Sequence, residues 1–424
     1  MKKPLIGLQA LCFLLTAVLL LSGCAAPMAG KLTADLMVDI QAAGWPEAPD
    51  APPADFAAAL TRFSWNILRE SAANPGNVLI SPASIYLALA MTVNGADGST
   101  RDDMLKALAS ADLTVDRLNA ASRDWTTLLT RGSDPALTLA NSIWYRTGFS
   151  ADPAFLQSNA DFYAAGARVL DFAKPEAVEI INGWVHDNTR GKIDKILAEI
   201  KPDVVMYLIN TIHFKSDWKT QFVKNYTTEQ VFAAPDGDVK ALFMHRTGDM
   251  TYLAESSASG VLLPYVDDRF AFFAVLPETG QDPRQLIAAG DGTFLTRILG
   301  SARSVPVTLS LPQFETAYSD SLVDEMKTLG MAVAFGAGAD FSLMTSDRRK
   351  DLFITEIRHK TYFKINEIGT EAAAATLVEI GKTAVPGADI VLDFNRPFLY
   401  GIVDQTTGMP VFIGILENPA AKGD

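Results

Sequence analysis

Apolar positions recur with helical spacing early in the chain and with a period of two later on. Phe56, Leu60, Phe63 and Ile67 lie three or four apart and predict an amphipathic helix, which Asn74-Pro75-Gly76-Asn77 ends. A short apolar strand, Val78 to Ile80, follows. Ser81-Pro82 then offers a capping hydroxyl and a first-turn proline to a helix through Ile85 to Val93, stopped by Asn94-Gly95. A further helix is expected to start at Thr100, with Asp103 three residues on.

Strand patterns dominate afterwards. Leu137 to Tyr145, Val204 to Phe214, Thr251 to Leu253, Gly260 to Leu263 and Phe270 to Leu276 all read as strands, the last apolar enough to be buried on both faces. Val307, Leu309 and Leu311 alternate with Thr308 and Ser310 to give another. Asp320 to Leu329 reads as a helix closed by Gly330. Phe398 to Val403, a turn over Gln405 to Gly408, and Val411 to Leu416 predict a terminal hairpin. No repeat and no internal linker divides the body, so the pattern predicts one α+β domain over residues 54–419.

The longest alternation runs from Phe353 to Asn366 and predicts a half-buried strand. It delivers the chain to Gly369-Thr370-Glu371, then Ala372, Ala373, Ala374, Ala375 and Thr376. Alanines are the strongest helix formers, so the local reading is a short surface helix, broken at Gly381 and Pro386-Gly387. Counted in twos, however, Thr370, Ala372, Ala374, Thr376, Val378 and Ile380 share one small, apolar face, with Glu371 and Glu379 on the other. The same segment could therefore serve as a central strand. Compatibility with two states is what a conformational switch requires.

The amino terminus carries an address. Lys2-Lys3, an apolar run from Leu5 to Leu21 and Leu21-Ser22-Gly23-Cys24 resemble a bacterial lipoprotein signal, with residues 1–23 removed and Cys24 lipidated; the alternative is an uncleaved membrane anchor. Either reading holds the body at the cell envelope, outside the cytoplasm. Residues 24–53, rich in Ala, Pro and Gly, read as a flexible tether, and 420–424 as a tail. Cys12 and Cys24 are the only cysteines, so a processed chain can form no internal disulfide. The net charge of −13 becomes −15 if Lys2 and Lys3 leave, and no basic stripe points to nucleic acid.

Catalytic templates fail. The sequence has no His-Glu-x-x-His, Gly-x-Ser-x-Gly or Cys-x-x-Cys, and Gly95-Ala96-Asp97-Gly98-Ser99-Thr100 lacks the lysine of a phosphate loop. His186, His213, His245 and His359 show no metal-ligand spacing, and His213 and His359 sit in apolar strand patterns that favour hydrogen-bonded core histidines. A Ser-His-Asp triad is recognised by geometry rather than spacing, and nothing here points to one.

Six segments in order carry a resemblance: Asn77 to Ile85, Asn210 to Trp218, Leu311-Pro312-Gln313-Phe314, His359-Lys360, Asn366 to Thr376, and Asn395-Arg396-Pro397-Phe398. Together they are similar to the signature segments of serpins. The resemblance implies a serpin fold of three β-sheets and about eight or nine helices, with an exposed reactive loop over about 367–391. It also implies suicide-type inhibition, in which a protease cuts the loop and the loop inserts into the central sheet. Glu367, Gly369, Thr370, Glu371, Ala372 to Ala375 and Thr376 match the hinge of inhibitory members; Ile368 stands where a polar residue is common. Ser81, Ser84, Asn210 and His359 match the polar shutter beneath the sheet, and Trp218 the tryptophan at its top.

The family spacing puts the reactive bond at Thr383-Ala384, suiting elastase-like or subtilisin-like enzymes, with Lys382-Thr383 and trypsin-like enzymes as the runner-up. The implied partner is a serine protease, or a papain-like cysteine protease, held covalently by a monomer. No cofactor is implied, and the region after Leu113 has too few basic residues for heparin. The alternatives are a non-inhibitory binding or chaperone-like envelope protein on the same fold, and an envelope hydrolase.

Overall fold

Nine α-helices are present among the residues that the computed structural model describes, 33–131, 136–371 and 390–421. Helix α1 (Ala54–Ser71) buries Phe56, Leu60, Phe63 and Ile67, the face its periodicity predicts. The Ser81 hydroxyl accepts the Ser84 amide at 3.2 Å to cap α2 (Pro82–Val93), a helix buried on nearly every side. Helix α3 (Gly98–Ala107) starts before the expected Thr100 because the Asp97 carboxylate accepts the Gly98 amide at 2.9 Å. The others are α4 (Val115–Leu129), α5 (Pro153–Tyr163), α6 (Glu176–Asn188), α7 (Pro283–Ala289), α8 (Phe294–Gly300) and α9 (Val323–Met326).

The strands are β1 (Thr33–Asp35), β2 (Val78–Ile80), β3 (Leu137–Arg146), β4 (Gly166–Leu170), β5 (Met206–Phe214) and β6 (Ser216–Asp217). Next come β7 (Thr228–Ala234), β8 (Gly237–Glu255), β9 (Ala258–Pro264), β10 (Phe270–Pro277), β11 (Arg303–Pro312) and β12 (Phe314–Ser321). The last are β13 (Arg358–Ile365), β14 (Gly369–Thr370), β15 (Ile390–Asp393), β16 (Phe398–Asp404) and β17 (Pro410–Leu416). They form three sheets: β1-β4-β3-β5, β12-β13-β14-β6, and a nine-stranded sheet, β15-β11-β8-β9-β10-β16-β17-β2 with β7 on β8. The α+β class and the carboxyl-terminal hairpin are as the pattern predicts, and Phe270 to Leu276 is buried throughout.

Two apolar clusters lie on opposite faces of β5. Ile212 and Phe214 join the main core around α2, whereas Tyr207 and Ile209 join a smaller cluster with Ile181 and Val185 of α6. The period-two rule thus assigns each β5 side chain a face.

Several expectations are corrected. The tether does not extend to residue 53: β1 pairs antiparallel with β4, Leu36, Met37 and Ile40 pack on the core, and the Ala43 amide donates to Asp161 at 2.7 Å. This short strand covers an edge that β4 would otherwise expose. The strand expected from Phe353 is present only from Arg358, because its partner β12 ends where Ser321 pairs with Arg358; Phe353 is 41% exposed. For the same reason no helix starts at Asp320, which pairs with His359, and α9 begins at Val323. Thr251 to Leu253 is the end of the much longer β8. Cys24 lies outside the described residues.

Candidate functional site

β5 and β13 face each other across a cavity of about 320 Å³. β5 is laddered only to β3, and β13 to β12 along its length and to β14 through the single pair Ile365 and Thr370. Among the described residues no ladder joins β5 to β13, so each presents a backbone edge to the cavity. Ala88 and Thr92 of α2 line one side, and Val185 of α6 with Ile193 and Leu197 just after it another. The site is a slot between two facing strand edges.

At its mouth the chain has already turned in. Gly369 and Thr370 pair with Asp217 and Ser216 of β6, and a Cβ at Gly369 would overlap the Ser216 carbonyl, so only glycine lets the backbones approach. Trp218 lies flat on Tyr265, with ring centroids 4.8 Å apart, and its indole N–H donates to the Asn366 carbonyl at 2.8 Å. The Tyr265 and Thr370 hydroxyls are 2.5 Å apart, and burial raises the Tyr265 phenol well above its ordinary pKa, keeping it neutral. Glu367 accepts the Thr227 hydroxyl at 2.8 Å.

Glu371 is the last described residue before the loop. Its amide donates to the Lys364 carbonyl at 3.0 Å, and its φ of +55° is left-handed. Its carboxylate lies on the opposite face from Thr370, as alternation predicts, yet it is buried, 2.9 Å from Nε2 of His213 and 3.7 Å from Nζ of Lys192. Ala372, Ala373, Ala374, Ala375, Thr376, Lys382, Thr383 and Ala384 lie outside the described residues.

Deeper in the slot, His359 is fully buried and its Nε2 accepts the Ser81 amide at 3.0 Å, so the imidazole is neutral; burial pushes its pKa down to about 3. The Ser81 hydroxyl donates to the Val411 carbonyl at 2.8 Å, and Thr361 to that of Leu79 at 2.8 Å, fastening β13 and α2 to β17 and β2. Ser84, Asn210 and His359 all line the cavity. Asn210 bonds not to His359 but to Asn141 of β3, at 2.6 Å. The four residues that match the family's shutter therefore gather at the slot, with Asn210 turned toward the neighbouring strand.

Sequence reasoning misses His213, Lys192 and Tyr265. His213 is buried as expected of a core histidine, but its partner lies 158 residues away, a separation no local pattern encodes. Among the described residues no group of three His, Cys, Asp or Glu could hold a metal ion.

A sequence model of the Serpin family (serine protease inhibitor) matches residues 58–419. The chain belongs to the serpin family. This serpin is 31% identical over 366 residues to an uncharacterized serpin-like protein of Thermococcus kodakarensis, covering 85% of each chain. It is 30% identical over 379 residues to the leukocyte elastase inhibitor of Sus scrofa, covering 85% of this chain and 99% of the other. Among solved structures, the native state of the thermophilic serpin tengpin matches with a TM-score of 0.84 at 35% identity, over 91% of this chain and 99% of that one. The latent state of tengpin matches with a TM-score of 0.76 at 32% identity, over 87% and 99%.

Proposed function

We propose that this serpin is a suicide-type inhibitor of serine proteases, held at the cell envelope through a lipid on Cys24. The observation that carries the reading is the slot between β5 and β13, with two free backbone edges and the hinge entering at one end. The greater likeness to a native than to a latent serpin supports a loop that still waits outside the sheet.

In the proposed reaction the protease serine attacks the carbonyl carbon of Thr383. The bond to Ala384 breaks, the new amine leaves with a proton, and an ester joins Thr383 to the protease. Residues 372 onward then enter the slot as a strand and carry the protease with them. Roughly a dozen new ladder bonds at about 1 kcal/mol net each, with burial of small inward side chains, drive insertion by more than ~10 kcal/mol. Distortion of the dragged protease stalls hydrolysis of the ester.

Incubation with elastase, subtilisin and trypsin should give a complex that survives boiling in detergent. Mass spectrometry of the released peptide should begin it at Ala384 for elastase-like enzymes, and at Thr383 if trypsin cuts after Lys382. If every active protease leaves only cleaved product, and cleavage brings no gain in heat resistance, the non-inhibitory binding reading replaces this one. Labelling with a radioactive fatty acid should mark the wild type and not Cys24→Ala.

A further inference from the structure

We propose that His213 and Lys192 seat the Glu371 carboxylate and so fix the register in which the loop enters the slot. A carboxyl group with 3% of its side chain exposed needs hydrogen-bonding or charged partners there, and the described residues supply two: Nε2 of His213, itself 4% exposed, at 2.9 Å, and the Lys192 ammonium at 3.7 Å. Lys192 is held in place in turn, with its ammonium 5.0 Å from the centre of the Tyr362 ring on β13. The groups facing Glu371 thus come from β5, from the segment after α6 and from β13.

The ladder gives this contact its meaning. Gly369 pairs with Asp217 and Thr370 with Ser216, so the next step of the same register sets Glu371 opposite Lys215, two residues from His213. Glu371 and His213 are then diagonal neighbours on one face, a separation long side chains bridge. A slip of one residue would turn the carboxylate to the face where Phe214 packs on Tyr265, and a charge buried there has no partner. The correct register is the one that sends Thr370, Ala372, Ala374 and Thr376 inward. Entry of Ala372 requires Glu371 to leave its left-handed φ while its side chain stays anchored, which makes it the pivot of insertion.

The consequence for inhibition rests on the function proposed above, but the seating can be read without it. Hydrogen exchange by mass spectrometry on the full, uncut chain, over a peptide spanning residues 364–371, reports whether the Glu371 amide remains bonded to Lys364. Glu371→Ala and His213→Phe should each lower its protection about tenfold after correction for intrinsic rates, Lys192→Met less, and Glu371→Gln, which keeps a hydrogen bond, least. In an inhibition assay the same order should appear as the number of inhibitor molecules consumed per protease, rising about threefold or more for Glu371→Ala. Unchanged protection in Glu371→Ala, with an unaltered melting temperature, overturns the proposal; if His213→Phe misfolds, Glu371→Ala decides alone. A wild type that inhibits nothing would sink the inhibitor reading while leaving the exchange result to judge the seating.

Discussion

His359 is the side chain through which pH bears most directly on the slot. Its folded pKa of about 3 lies below the ordinary value of 6.5, so as pH falls below 6.5 the unfolded chain takes up a proton that the folded one refuses. The contribution is therefore fully present above pH 6.5 and is lost as pH falls toward 3, by about 5 kcal/mol in all. Urea unfolding at pH 7.5 and 4.5 should show this loss, and His359→Gln, which keeps an acceptor for the Ser81 amide, should flatten it. Thr370 bears on stability and, in the proposed mechanism, on outcome. It is 1% exposed in the uncut chain with its hydroxyl on Tyr265, so Thr370→Arg would force a charge into the core face both before and during insertion. That variant should be cut by the same proteases yet form no detergent-stable complex, and the uncut chain should melt several degrees below the wild type, about 3 °C or more.

At the scale of elements, the two-residue strand β14 is where the proposed insertion would start. Gly369→Val would place side-chain atoms against Ser216 and Asp217 and push β14 off β6. After the loop is nicked, this variant should acquire heat resistance at least about tenfold more slowly than the wild type, as melting curves at timed intervals would show. What the sequence discloses also divides by element. The cap of α2 and the alternation of β13 are legible because each depends on neighbours within a few residues. The docking of β1 is not, since three residues in an Ala- and Pro-rich stretch carry no periodicity, and only the exposed edge of β4 gives them a place. The loss of strand before Arg358 is likewise decided by where β12 stops, not by the alternating residues themselves.

For the whole molecule, the proposed mechanism makes uncut stability a matter of rate. If filling the slot gains more than ~10 kcal/mol, the empty form is metastable and is protected by the barrier to loop entry. Cleavage in the loop should raise the melting temperature by about 20 °C or more, measured by calorimetry before and after nicking. The described residues 33–131, 136–371 and 390–421 contain no cysteine, so among them no disulfide contributes to that barrier.

The pairing of Thr33 to Asp35 with β4 also sets a radius of action. If Cys24 carries the proposed lipid, only Ala25 to Leu32 lie between it and the first described strand, in place of the longer span to residue 53. Eight residues reach at most about 28 Å when fully extended. A lipid-held inhibitor on so short a leash would patrol a layer little deeper than its own diameter, concentrated against enzymes that come to the membrane surface and out of reach of those that pass farther off.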